Sequence, residues 1–444
     1  MAAIQSIDSL PDELMVEIFT YIPMEELVTS VQNVSRRWNS LALDGRLWKD
    51  YTFAPPANYG TEQIVKLLSK MPRLKSFSFS EMHDFHPIIL ALCRHCPEVM
   101  KVTCNTPNAD LEDIELFSKG LPSLEYLNVH PTTLYHMMSQ VRPNSFSKLS
   151  RLKCSWSTEY YGMYLAEHTD VVNINFKSLQ HLEVMTVYNS SLMEKLIEDN
   201  AGSLQQLSVS GVYDKLLSII LKCEKLAELK LNFLSRVCDG FKSSLPQIGK
   251  MKNLKTLSLR LFVDSSKDVL CNLFADGNLR GLVELDLSHC MNFSPRVAAS
   301  IAHCCPELRV LRLQACVNLD DSCMEQLAKC RDLRMLNVSG CARLTEKGLA
   351  HIASCRQLHT LDLAWLGGIS GLMLESLAGS VGLRKLTLDH NEMSESDLIN
   401  AVRKMPSLVH LRVYRCPELD PVKLQESLPS VRVNSSKPPR LAAW

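Results

Sequence analysis

Two consecutive stretches of the chain, LRVLRLQACVNLDDSCMEQLAKCRD (308–332) and LRMLNVSGCARLTEKGLAHIASCRQ (333–357), agree position by position in their apolar residues. Each opens on the pattern LxxLxL, with Leu308, Leu311 and Leu313 in the first and Leu333, Leu336 and Val338 in the second. The fourth and sixth positions alternate as an inward-facing strand requires. A small ninth residue follows, Cys316 or Cys341, then an apolar residue and a helix-capping type, Leu319-Asp320 or Leu344-Thr345. One unit therefore reads strand, turn, helix, and is too small to close a core without its neighbours.

Extending this register along the chain gives first positions at Leu74, Val99, Leu124, Leu149, Leu179, Leu204, Leu226, Leu254, Leu282, Leu308, Leu333, Leu358, Leu383 and Leu408, most of them 25 residues apart. The ninth position recurs as Cys290, Cys316, Cys341, Asn391 and Cys416, and the capping position as Ser294, Asp320, Thr345, Ser370, Ser394 and Asp420. Pro295 and Pro421 stand where a first helical residue belongs. The units resemble the cysteine-containing class of leucine-rich repeats, closely over 282–430 and more loosely over 70–281. The resemblance implies an α/β fold, a curved solenoid with a parallel concave sheet and convex helices.

The repeat also accounts for the cysteines. Cys96, Cys223, Cys305, Cys330 and Cys355 each stand three residues before a repeat start, where other repeats carry Met71, Leu121 or Met405. They read as packing residues. A zinc site at Cys93-Arg94-His95-Cys96 would need a second ligand pair at suitable spacing, which the sequence lacks, so no metal is expected. The sixteen cysteines follow no secretory signal, which favours free thiols in a reducing compartment, cytoplasmic, nuclear or both.

The chain of 444 residues is 46% hydrophobic and 22% charged, and its 48 basic and 48 acidic side chains cancel. That balance argues against nucleic acid as the main partner, and no apolar run is long enough to cross a membrane. Phosphate loops of the GxxxxGK[ST] kind, GxSxG elbows, HExxH and paired CxxC units are all absent from the sequence. His289, His303, His351 and His390 are scattered and read as repeat residues. Neither an active site nor a cofactor is expected.

Ahead of the repeats, LPDELMVEIFTYIP (10–23) places Leu14, Ile18 and Ile22 on one helical face, with Pro11, Asp12 and Glu13 suited to the helix start and Pro23 ending it. MEELVTSVQ and NVSRRWNSLALDGRLWKDY continue as two further short helices, the third with Val34, Trp38 and Leu41 on one face. So small a helical unit leaves apolar surface to be covered. LPDEL, Ile22-Pro23, VSRRW (34–38) and RLW (46–48), in that order, resemble the F-box.

An F-box followed by leucine-rich repeats resembles the F-box and leucine-rich-repeat family of substrate receptors. That resemblance implies docking on the Skp adaptor and, through it, on the cullin and RING subunits of an SCF ubiquitin ligase. It carries Leu10, Pro11, Leu14, Ile18, Pro23, Leu27, Val31, Val34 and Trp38 to the adaptor interface, some of them serving the F-box's own core. The implied organisation is F-box (1–50), linker and capping helix (51–70), about fourteen repeats (71–430) and a tail (431–444). A scaffold without a degradative role is the alternative.

For the substrate, period two turns the third, fifth and seventh positions of each repeat toward the concave face, with the eighth at the strand's exit. The last repeats place Trp365, Asp389, His390, His410, Arg412, Tyr414 and Arg415 there, rich in residue types that bind partners. An exposed sheet face also needs polar residues for solvation alone. Two further segments are candidates for contact: the aromatic stretch holding Trp156, Tyr160, Tyr161 and Tyr164, and a proline-stiffened tail whose Leu441 and Trp444 could anchor it over the sheet.

Overall fold

A computed structural model describes residues 7–79, 84–104, 111–130, 134, 146–154, 176, 178–184, 190–232, 244–260, 269–275, 277–353, 355–377, 380 and 382–436. The aromatic stretch 156–164 and the tail residues Leu441 and Trp444 lie outside the described residues. The chain divides into two compact units, Met1–Leu204 and Gln205–Trp444.

The first unit begins with four α-helices, α1 (Asp12–Phe19), α2 (Met24–Thr29), α3 (Arg36–Ala42) and α4 (Gly45–Trp48). The sequence pattern reads as three. The third splits because Asp44 caps a new turn, its carboxylate accepting from the Arg46 N–H at 2.9 Å. Ser35 likewise caps α3 by accepting from the Trp38 N–H, which leaves Val34 outside the helix and exposed. Met15, Phe19, Leu27, Val31 and Ala42 form the buried core of these helices.

Among the described residues six parallel strands follow in chain order, β1 (Thr52–Phe53), β2 (Ser76–Ser78), β3 (Lys101–Cys104), β4 (Tyr126–Val129), β5 (Arg151–Cys154) and β6 (His181–Val184). The linker is thus part of the sheet, since β1 pairs with β2. Tyr59 donates to the Glu25 carboxylate at 2.8 Å and Gln32 to the Lys70 carbonyl at 3.3 Å, tying the opening helices to the first repeat.

The second unit carries ten strands among the described residues, β7 (Gln206–Ser210), β8 (Glu228–Asn232), β9 (Thr256–Arg260), β10 (Glu284–Asp286), β11 (Val310–Arg312), β12 (Met335–Asn337), β13 (Thr360–Asp362), β14 (Lys385–Thr387), β15 (His410–Arg412) and β16 (Arg432–Asn434). All pair in parallel with the next in the chain, so each Leu of the fourth position lies beside its successor, Leu311 by Leu336 and Leu336 by Leu361. Helices begin directly after the expected caps, at Pro295, Asp321, Glu346, Gly371, Glu395 and Pro421. β16 falls in the segment read from sequence as tail, and extends the sheet past residue 430.

The ninth-position side chains do what their size permits. Cys290, Cys316, Cys341 and Cys416 are buried, each thiol donating to a carbonyl of the preceding repeat at 3.1–3.2 Å. Asn391 takes the same place, donating to Leu363 and Leu388 carbonyls and accepting from the Leu366 N–H. Cys96, Cys223, Cys305, Cys330 and Cys355 are buried between helix and strand.

Candidate functional site

The helical surface is built by the segment before α1. Arg37 on α3 donates to the carbonyls of Asp8 and Leu10 and pairs with the Asp12 carboxylate at 2.6 Å. Trp38 Nε1 donates to Asp8 Oδ1 at 2.6 Å, and its ring meets Phe19 with centroids 5.4 Å apart. Residues 7–12 are thereby clamped across the end of α3. The VSRRW block, read from sequence as an interface, serves in part to hold the LPDEL block in place.

The nine residues assigned to the adaptor interface divide in two. Pro11, Leu14, Ile18, Pro23 and Val34 face solvent, Leu14 at 46% and Val34 at 58% exposure. Leu27 and Val31 are buried in the core, and Leu10 and Trp38 are half-buried against it. The core residues shape the surface from beneath and do not themselves lie on it. Tyr21, at 83% exposure, extends the apolar face seven residues beyond Leu14 and was not singled out from the sequence.

The C-terminal strand face departs from a simple alternation. Third and fifth positions are half-exposed, as in Val310 and Arg312 or Met335 and Asn337. The seventh turns inward in four of six repeats, where Ser288, Ser339, Ala364 and Asp389 are buried, while Gln314 and Tyr414 stay half-exposed. The reason is that each strand ends at its fifth residue, so period two no longer applies. The chain then turns through a left-handed residue at the eighth position, His289, Ala315, Gly340, Trp365, His390 and Arg415, with φ between 54° and 73°. A left-handed non-glycine costs about 1–2 kcal/mol. Hydrogen bonds to the following repeat offset it, from His289 N to Gln314 O, Ala315 N to Ser339 O, Trp365 N to Asp389 O and His390 N to Tyr414 O, at 2.7–3.0 Å.

This turn sets eighth-position side chains one above another. Trp365 and His390 stack with ring centroids 3.7 Å apart, His390 meets Tyr414 edge to face at 5.5 Å, and the Arg415 guanidinium lies 5.5 Å from the Tyr414 ring centre. Trp365 remains 58% exposed. Burial, and the Arg415 charge after it, hold the His390 imidazole below its usual range against the opposing pull of Asp389.

Asp389 and Arg412, assigned to the same surface from sequence, are occupied with each other. Arg412 Nε donates to Asp389 Oδ2 at 2.6 Å, and Asp389 Oδ1 accepts from the Tyr414 N–H at 2.8 Å. Asp389, only 6% exposed, is a support for the Tyr414 turn. A second bond from Arg412 reaches the Ser436 carbonyl at 3.3 Å, beyond β16. Among the described residues His410 joins neither set of contacts; it stands at the third position, in register with Lys385 and Arg432. The ladder of Trp365, His390, Tyr414 and Arg415 can offer a partner flat aromatic area beside one cation.

Comparison with known proteins sets the opening helices apart from the repeats. An F-box-like family model matches residues 7–54. The F-box/WD repeat-containing protein mec-15 of Caenorhabditis elegans is 37% identical over 59 residues, a match that spans 13% of this chain and 13% of that protein. Among solved structures, the complex of Rad7 and Elc1 from yeast aligns at 15% identity over 96% of this chain and 93% of its counterpart, with a TM-score of 0.41. A leucine-rich-repeat protein of Leptospira interrogans aligns at 13% identity over 83% and 91%, with a TM-score of 0.43. The opening helices are an F-box-like domain, and the strands and helices after them form leucine-rich repeats.

Proposed function

We propose that the chain is a non-catalytic substrate-recognition subunit of an SCF-type ubiquitin ligase, working in the cytoplasm, the nucleus or both. Its F-box-like domain docks on the Skp adaptor and so reaches the cullin and RING subunits. The repeats hold a protein substrate for ubiquitination and proteasomal degradation. Supporting this reading above all is an F-box-like domain whose own core is complete while Pro11, Leu14, Ile18, Tyr21 and Val34 remain uncovered. Solvated apolar side chains grouped in this way mark a surface that a partner covers.

A receptor contributes proximity, holding substrate lysines near the transferring subunit, and needs no nucleophile of its own. The thiols support that role: burial pushes Cys96, Cys223, Cys305 and Cys330 up to about 12, whereas a ubiquitin-accepting cysteine needs a lowered value.

Co-expression of the full chain with a Skp adaptor tests the reading. Pro11→Ala combined with Leu14→Ala and Ile18→Ala is expected to abolish adaptor and cullin recovery, each interface anchor being worth about 1–2 kcal/mol. Undiminished recovery overturns the adaptor assignment. Partners that accumulate on the wild-type chain when cullin activation is blocked are the expected substrates; an unchanged partner set instead favours a scaffold without a degradative role.

A further inference from the structure

The edge of the second unit where strands β11 to β14 begin carries charge that neither surface above uses. The second position of four successive repeats holds Arg309, Arg334, His359 and Arg384. The Arg334 N–H donates to the Arg309 carbonyl, His359 to Arg334 and Arg384 to His359, at 2.8–2.9 Å. The four residues therefore stand on neighbouring chains, about 4.8 Å apart, the spacing of paired strands. The three arginines are exposed and His359 is half-buried. Arg331 and Arg356, each three residues before a member of the row, are exposed on the same edge.

These guanidinium groups differ from three other arginines of the second unit's strands. At fifth positions Arg312 pairs with Glu284 and Arg412 with Asp389, and at a seventh position Arg260 lies 3.8 Å from Asp286. Among the described residues no ion pair or side-chain hydrogen bond engages Arg309, Arg331, Arg334, Arg356 or Arg384. The carboxylates of this edge are Glu307 and Asp332, and Glu307 lies 3.9 Å from Lys255. Arg309 and Arg334, like charges one strand apart, repel, and a counter-charge from outside relieves them.

We propose that the row from Arg309 to Arg384 is a docking strip for an extended acidic segment of a partner protein, one carrying clustered aspartate and glutamate. Its three interstrand steps span about 14 Å, which four or five extended residues cover at about 3.3 Å each. Guanidinium forks match carboxylates two bonds at a time. A peptide also suits the edge better than nucleic acid does. It can set a neutral side chain opposite Glu307 or Asp332, where a phosphate backbone would bring an unavoidable negative charge. The strip is distinct from the Trp365 ladder and requires neither adaptor nor ligase, so it stands or falls apart from the function proposed above.

Fluorescence anisotropy on the full chain tests it, with three labelled probes: a peptide of glutamate and aspartate spanning the strip, its glutamine and asparagine analogue, and a single-stranded oligonucleotide of equal charge. The acidic peptide is expected to bind saturably and the neutral analogue not to bind. Affinity is expected to fall as salt rises past about 0.1 M, where charges about 10 Å apart are screened. The variant R309E/R334E/R384E is expected to weaken binding by about tenfold or more, while K347E/K423E on the helices leaves it unchanged. R309Q/R334Q/R384Q removes the charge without adding repulsion, and keeps the test decisive if the reversed variant fails to fold by circular dichroism. No saturable binding of the acidic peptide, unchanged binding by the glutamine variant, or tighter binding of the oligonucleotide overturns the proposal.

Discussion

Trp365 and His390, one repeat apart, lie with their rings 14° from parallel and 3.7 Å between centroids, and both hold a left-handed backbone. The stack is a product of the repeat: the same turn in adjacent units presents the same vector, and two flat side chains happen to fill it. Tyr414 and Arg415 continue the row from the last full repeat.

Trp365→Ala with Tyr414→Ala is therefore expected to strip the ladder without disturbing the strands, since Trp365 is largely exposed and the backbone bonds of the turn do not depend on either ring. Adaptor recovery and the unfolding midpoint should hold, while substrate capture falls by about tenfold or more if each ring is an interface anchor. Quantitative mass spectrometry of captured proteins reads the result, and full capture by the double variant removes the ladder from the recognition surface.

Arg412→Ala is expected to act on stability before binding. It leaves the Asp389 carboxylate buried with only the Tyr414 N–H as partner, at about 1–3 kcal/mol for a group so placed. Urea unfolding of Arg412→Ala, Asp389→Ala and the double variant checks this. The double variant should be less destabilised than the two single effects added together.

Asp362→Asn is expected to stabilise the chain at neutral pH. Burial, and Asp389 beside it, raise the Asp362 carboxyl above its ordinary value, against the Ala364 N–H and Arg412. A raised carboxyl binds more protons in the folded state, so folding stability falls as pH rises through the window between the unfolded value, about 3.9, and the folded one. Asparagine keeps the turn, as Asn337 and Asn434 do when they accept from the N–H two residues on. The gain over wild type should be full at pH above that window and vanish below it; equal stability at neutral pH would falsify this account.

Leu27→Ala and Leu14→Ala should separate core from surface in the F-box-like domain. Leu27 is fully buried in the helical core, and its truncation is expected to cost about 2–5 kcal/mol. Leu14 is exposed, and its loss should move stability by no more than about 0.5 kcal/mol while weakening adaptor binding. Thermal unfolding alongside adaptor titration distinguishes the two.

Much of the architecture was legible in one dimension. The LxxLxL register located the parallel strands, and capping residues such as Ser294, Asp320 and Asp420 located helix starts, because both depend on side chains a few residues apart. The LPDEL and VSRRW blocks identified the F-box-like domain for the same reason.

What periodicity could not carry was the end of each strand. Alternation predicts an outward seventh position only while the strand continues, and here it stops two residues earlier, so Asp389 turned inward and paired with Arg412. Nor could the sequence divide Leu27 and Val31, which fill the core, from Leu14 and Val34, which do not, since all four are apolar and helix-compatible. By itself the sequence determined the repeat, its register and the order of its elements, through contacts local to each unit. Only the tertiary structure decided which side chains meet across repeats: the Trp365 stack, the Asp389 pair and the uncompensated row from Arg309 to Arg384. Those meetings join residues about 25 positions apart, and they exist only once successive turns have been laid side by side.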